Sequence, residues 1–499
     1  MDLKKESTNI ETASASDDKP NLKGDYKNVV LLSILYILQV KILWAPIVDC
    51  VYFKVIGRRK TWLLPTQTLI GFSMLFLAQK VDKWFGDESN QKPDIILITT
   101  VFFFLWILTA TQDIAVDGWA LTMLQRKNVG YAATINCVGQ SFGVLLGFTG
   151  FLILESKDFC NAWIFSEPRN EGLVSFSQFL GFWGVSFLTT TFFIALFKRE
   201  NSEAEEELNS HPDFGIKKAY PILWKIVNIK PILMLAAIFS TVDLCTTACD
   251  MITNLKLIDH GIPRDKIALF NIPSFIVQLT LPIMVSKYTA GRYPMNVYFK
   301  AFPFRLIMSV AIAGFVYATP SIVEGKLHDI PAYYYAGIMI IIFFYQIALR
   351  SMYTADMSFF AKVADPMVGG TYMTLMNISY IGGKFVKTFS IWFVDVITWR
   401  SCYFPENDIN NISMTQLTNN SCENDFMKNE CVNSGGICQI DIDGYYLEVA
   451  FNVLFGIFWF RWAKRIIGHL QELPITDWYV LSNQRISKDE NEELKQLRP

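Results

Sequence analysis

Apolar residues gather along this chain in long runs, separated by short polar and often basic connections. About 20 predominantly apolar residues are what an α-helix needs to cross a hydrocarbon layer ~30 Å thick. Eleven segments meet or approach that length: 29–56, 62–78, 95–124, 131–154, 176–197, 232–249, 268–285, 297–317, 333–352, 372–397 and 445–462. The first is interrupted by Gln39, Lys41 and Asp49, and the last turns of the third are expected to project from the bilayer. In lipid every backbone polar group must be satisfied within the segment, so these runs predict helices.

Composition agrees with that reading. Of 499 residues, 52% are hydrophobic and 18% charged, against about 45–50% and about 25% in an ordinary globular protein. The fold class expected is an all-α polytopic membrane protein, with the lipid bilayer as its standing partner. A net charge of −2 gives no reason to expect nucleic acid. Residues 1–27 are polar and mixed in charge and read as a disordered tail without a cleaved signal peptide. Arg58, Arg59 and Lys60, Arg126 and Lys127, Lys198 to Lys225, Lys287 and Arg292, and Lys464 and Arg465 all fall in alternate connections. Basic residues near span ends favour the cytoplasm, so these connections are assigned there. The loop at 399–444 then falls on the lumenal side. It holds Cys402, Cys422, Cys431 and Cys438, and the sequons that begin at Asn411 and Asn419. An even cysteine set beside glycosylation acceptors predicts disulfides and glycans in an oxidising compartment.

The two halves of the chain echo each other. Pro46-Ile47-Val48 leads to Lys54, Gly57 and Arg58, and Pro282-Ile283-Met284 leads to Lys287, Gly291 and Arg292. Tyr131-x4-Asn136 with Gly139 and Gly143 matches Tyr372-x4-Asn377 with Gly382 and Gly383. Such pairs at corresponding places predict two similar six-helix bundles related about the membrane normal, the plan of major facilitator transporters. The expected units are an N-terminal bundle at 28–197, a cytoplasmic linker at 198–230, a C-terminal bundle at 231–467 and a cytoplasmic tail at 468–499.

Enzyme signatures such as G-x4-G-K-[ST] and H-E-x-x-H are missing from the sequence, and the four histidines fall in loops or the tail. No metal site, cofactor or catalytic residue is therefore expected. Charges within the spans are costly in lipid and must face a cavity or a partner. Asp113 and Asp117, at i and i+4, share one helix face. They are read either as gating groups with Arg58 and Arg59 or as a structural clamp onto that basic turn. Asn136 and Gln140 share another face, with Gly139, Gly143 and Gly147 beside it, where small residues every four positions would allow close helix packing. Asp243 and Asp250 form a second acidic face. Arg305, Arg350, Lys384 and Lys387 are cations at depth, suited to a phosphate-bearing anion or to pairing with buried carboxylates. Arg305 and Lys384 are chosen for anion attraction. Asn136, Gln140, Tyr131, Tyr372 and Asn377 are chosen as polar lining.

The string from Ala110 to Leu124, with Leu43-Trp44-Ala45-Pro46, Gly57-Arg58-Arg59-Lys60, Asn128 to Ala132, Ser286 to Gly291 and Gly369 to Leu375, resembles the acetyl-coenzyme A transporter family of the endoplasmic reticulum, in the major facilitator superfamily. The resemblance runs from about Lys27 to Arg465. It implies twelve spans and acetyl-CoA as the solute carried into the lumen of the endoplasmic reticulum. Here Val40 and Lys41 directly follow Leu38-Gln39, where the family continues through a lumenal loop into a second span. The 28 residues at 29–56 suffice for one tilted span of about 20 residues and not for two. This is an apparent deletion that leaves about eleven spans, the first two appearing fused. Other readings are a carrier of a different organic anion or muropeptide-like solute, a non-transporting shortened isoform acting as a regulatory partner, and, weakest, an integral acetyltransferase. A second copy of the chain is a candidate partner.

Overall fold

The computed structural model describes residues 41–53, 55–85, 95–125, 128–167, 169–198, 200, 216–262, 267, 272–323, 330–379, 381–403, 422 and 425–479. In the first half, α1 (Lys41–Cys50) leads through a turn at Gly57 into α2 (Lys60–Phe85), followed by α3 (Ile95–Met123). Next come α4 (Gly130–Val144), a wide π turn at Leu145–Gly150, α5 (Phe151–Glu155), α6 (Lys157–Trp163) and α7 (Phe176–Phe197). The start of α7 is set by a capping box, in which Ser175 and Gln178 satisfy each other's free backbone donors.

An amphipathic α8 (Ile216–Val227) opens the way to the second half. There α9 (Lys230–Val242) breaks through a 3-10 turn at Asp243–Cys245 into the short α10 (Thr247–Met251) and α11 (Thr253–Asp259). The long helices α12 (Ile272–Thr289), α13 (Met295–Val323) and α14 (Ala332–Val363) follow. After them come α15 (Gly369–Ser379), α16 (Ile381–Ile397), β1 (Trp399–Tyr403), α17 (Asp425–Asn433), β2 (Ile437–Ile442) and α18 (Gly444–Glu472). A final 3-10 turn spans Ile475–Trp478.

Ten of the eleven apolar segments fall largely on helices where they are described; of the first, residues 29–40 lie outside the described residues, and the chain leaves the helix after Cys50, so that its last residues form coil and turn. Among the described residues, six helices are long and apolar enough to cross a membrane, and a pair bent by 70° at 228–229 makes a seventh if counted as one span. Of the other candidates, those at 29–56, 268–285 and 372–397 include residues outside the described ones, that at 232–249 is broken at Asp243, and α18 carries the buried Glu448 and Asn452.

Helices α2 and α7 pack closely because Gly71 and Gly184 face each other: a Cβ on Gly184 would lie 2.9 Å from Leu75 and 3.0 Å from the Gly71 carbonyl oxygen. Gly139, Gly143 and Gly147 were expected to do this work and do not. A Cβ on any of them would meet nothing within 4 Å, because that face of α4 borders open space rather than another helix.

The largest buried cluster crosses the chain's midline, joining Leu121, Val129, Ala133 and Cys137 to Phe239, Phe302, Phe360, Tyr372 and Trp459. Clusters belonging to the first half alone are small: one around Ala45, Val48, Leu63 and Trp119, another around Leu77, Val81 and Leu180. Large apolar side chains such as Phe182, Phe192 and Phe197 point outward, as a lipid-facing surface requires.

Candidate transport site

At the end bearing the basic turns, the halves are tied together. Gly57 has a φ of +101°, a left-handed conformation open to glycine, and it turns the chain so that the first amides of α2 point at one carboxylate. Glu200 accepts from the backbone N–H of Arg58, Arg59 and Lys60 at 2.8, 2.9 and 2.7 Å. An anion is favoured there, since the first N–H groups of a helix have no partner within it. The Arg59 guanidinium pairs with Asp49, both side chains being almost wholly buried. Asp49 also accepts, at 2.7 Å each, from the backbone N–H and the hydroxyl of Thr371 on α15. Arg58 donates to the carbonyls of Asp49 and Met367. Ser358 on α14 adds a 2.9 Å bond to the carbonyl of Gly130. Asp49 is therefore the carboxylate that joins the basic turn to the second half.

Asp113 and Asp117 do not meet that turn. Asp113 pairs with Lys41 at 2.5 Å, and Asp117 accepts from Asn136 at 2.9 Å. What α3 offers the basic turn is the bare backbone of Gly118, against which the Arg59 guanidinium lies; a Cβ there would be 2.5 Å from Arg59 Cζ. Neither Asp49 nor Glu200 was singled out from the sequence. Their one visible signal was an unexplained carboxylate next to an apolar run or a basic turn.

Inside the second half, Arg305 pairs with Asp250 at 2.8 Å and donates to Tyr345 at 3.1 Å, while Tyr345 itself donates to Asp250. Lys387 lies 3.2 Å from Asp243 and 4.0 Å from Asp250. Gly383 leaves the room that the Asp243 carboxylate occupies. Two cations and two carboxylates so form one neutral network, and pairing is the arrangement that buried charge demands. The side chain of Lys384 lies outside the described residues.

Two cavities lie between the halves. One, of about 730 Å³, is lined by Asp113, Asp117, Asn136, Gly139, Gln140 and Gly143, with Met357, Ala361 and Met373 facing them. The other, of about 710 Å³, has Cys137, Gln140 and Ser141 on one side and Ser274, Gln278, Gln346, Arg350 and Tyr353 on the other. Asn136 and Gln140 thus come to open space as expected. Tyr372 is fully buried with its hydroxyl donating to the Trp478 carbonyl, whereas Tyr131 and Asn377 are exposed and line neither cavity.

At the opposite end, antiparallel β1 and β2 bring Cys402 opposite Cys438, and each bonds elsewhere: Cys402 to Cys431 and Cys422 to Cys438. Ser401 and Tyr403 donate to Asp441 and hold its carboxyl below the usual range. Asn411 and Asn419 lie outside the described residues.

The family model described as acetyl-coenzyme A transporter 1 matches residues 22–324 and 326–480. The chain belongs to that family. Relatives of this acetyl-coenzyme A transporter family member include an uncharacterized protein of Schizosaccharomyces pombe, 29% identical over 480 residues, 93% of this chain and 84% of that one. An uncharacterized membrane protein of Saccharomyces cerevisiae is 28% identical over 507 residues, 89% and 88% of the two chains. The anhydromuropeptide permease of Escherichia coli is 29% identical over 123 residues, 25% and 23%. A solved bacterial homologue of the iron transporter ferroportin, in an outward-facing state, aligns over 87% of this chain and 90% of that one with a TM-score of 0.44 at 10% identity. This family member is a multi-pass membrane transporter and not an enzyme.

Proposed function

We propose that the chain carries acetyl-CoA from the cytosol across the endoplasmic reticulum membrane into the lumen by alternating access. The bundles at 28–197 and 231–467 rock against each other around the cavities between them. The observation that carries this reading is the Asp49 junction, a compact set of polar contacts tying the basic turn of the first half to Thr371 of the second, together with two cavities lined by both halves; we read the junction as a closed barrier. A barrier of this kind can be traded for another at the far end, which is what alternating access requires. Arg58 and Arg59 act in the closed gate through Asp49, while Asp113 and Asp117 sit on the cavity wall with Asn136 and Gln140. The family match supports acetyl-CoA as the solute. The disulfide-bonded loop supports a lumenal compartment for the far side, since disulfides persist where the environment is oxidising.

The test is uptake of labelled acetyl-CoA by vesicles containing the purified full chain. Saturable uptake, competed by unlabelled acetyl-CoA and not by a muropeptide, is expected. A lack of saturable uptake by folded, oriented protein would sink the proposal.

A further inference from the structure

Polyanionic solutes need a cation at depth, and the obvious candidates are already engaged. Arg305 and Lys387 face Asp250 and Asp243. Arg350 faces no carboxylate among the described residues, and its buried Nε has no hydrogen-bond acceptor. It lies 18 residues after the start of α14 and 13 before its end, about 27 Å and about 20 Å along the axis at ~1.5 Å per residue. The apolar run of this helix ends at 352, so Arg350 stands near one end of the span with a cavity before it, and a cation left unpaired on the wall of such a cavity marks a place where something anionic comes.

We propose that Arg350 is the anchor for a phosphate group of the transported solute, in the cavity of about 710 Å³ that both halves line. The volume is that of sites which hold drug-sized ligands. Among the described residues Arg350 is the single charged group on its wall, so the site attracts anions and repels cations. The neighbouring cavity carries Asp113, already paired with Lys41, and Asp117, and its described lining includes neither lysine nor arginine to hold a polyanion. Around Arg350 stand Gln140, Gln278, Gln346, Ser274 and Tyr353. Ser274 is 3% exposed, and its hydroxyl oxygen and the Gln346 side-chain oxygen also have no partner. Buried polar atoms call for a partner, and these line the same cavity as the Arg350 guanidinium, where one polar ligand can serve them together. A guanidinium can bind two phosphate oxygens at once, which a lysine cannot reproduce. Because Gln140 belongs to the first half and Arg350 to the second, a bound phosphate would bridge the two moving bodies. The inference rests on the proposed carrier function and names the atoms that would hold its solute.

Thermal-shift titrations of the full chain in detergent, with acetyl-CoA, inorganic pyrophosphate and phosphate-free S-acetylpantetheine, test it alongside vesicle uptake. Wild type should be stabilised by acetyl-CoA and pyrophosphate and much less by S-acetylpantetheine. Arg350→Gln should weaken acetyl-CoA binding at least tenfold, with Arg350→Lys recovering part of the loss. If Arg350→Gln does not fold, Gln278→Glu puts a carboxylate in the same cavity and should weaken the anions to a similar degree. Unchanged affinity for both anions in whichever of these variants folds overturns the proposal. Pyrophosphate binding that depends on Arg350, without saturable acetyl-CoA uptake by wild type, would uphold the anion site and reject the acetyl-CoA function.

Discussion

Asp49 shows how much a single residue can decide in a membrane interior. Its carboxylate holds Arg59 on one side and Thr371 on the other, so removing its charge leaves a buried guanidinium unpaired. Loss of one partner of a buried pair costs about 3–5 kcal/mol. Asp49→Asn is expected to lower the melting temperature and to speed maleimide labelling of the adjacent free Cys50, followed by mass spectrometry; unchanged labelling would show that the junction does not close that end. Gly118→Ala should act the same way more weakly, since the added carbon displaces the Arg59 guanidinium. From the sequence the basic turn was legible, because glycine followed by three cations is conspicuous. Its partners were not, because Asp49, ten positions from Arg59, read only as an interruption of an apolar run while Asp113 and Asp117 offered two carboxylates on one helix face, and Thr371 lies 322 positions from Asp49.

Between elements, the informative contacts are made by small residues and cross-links. Gly184→Leu on α7 should force that helix away from α2 and destabilise the chain by about 1–3 kcal/mol, the usual range for overpacking, measured by thermal unfolding in detergent. The glycines of α4 that looked like a packing stripe border a cavity instead. Periodicity says which residues share a face and says nothing of what that face meets. In the cysteine-rich loop, four cysteines allow three pairings, and the β1–β2 register sets Cys402 and Cys438 side by side without joining them. Non-reducing peptide mapping should recover Cys402 with Cys431 and Cys422 with Cys438. Replacing the second pair, which closes a loop with a sequence separation of 16, should cost about 3 kcal/mol in local stability on the chain-entropy account.

For the molecule as a whole, the largest buried cluster is shared by the two halves while the first half keeps two small ones of its own. On the proposed alternating-access cycle, stability and gating are therefore coupled, because separating the halves exposes core. A solute that bridges them should raise the melting temperature in proportion to its occupancy, by about 2.7 kcal/mol at a hundredfold excess over its dissociation constant, and a titration with acetyl-CoA measures this. The length and spacing of the apolar runs alone determined the membrane setting and the helical class, since lipid forbids unsatisfied backbone and so converts composition directly into fold. Family membership was also legible, in strings such as Gly369 to Leu375. Which carboxylate meets which cation was decided by the tertiary structure alone. Arg305 turned out to be neutralised by Asp250, and Arg350 was left facing a cavity. The physical reason is that a buried charge takes its meaning from whatever lies within a few ångströms, and in a bundle of helices those neighbours come from distant parts of the chain.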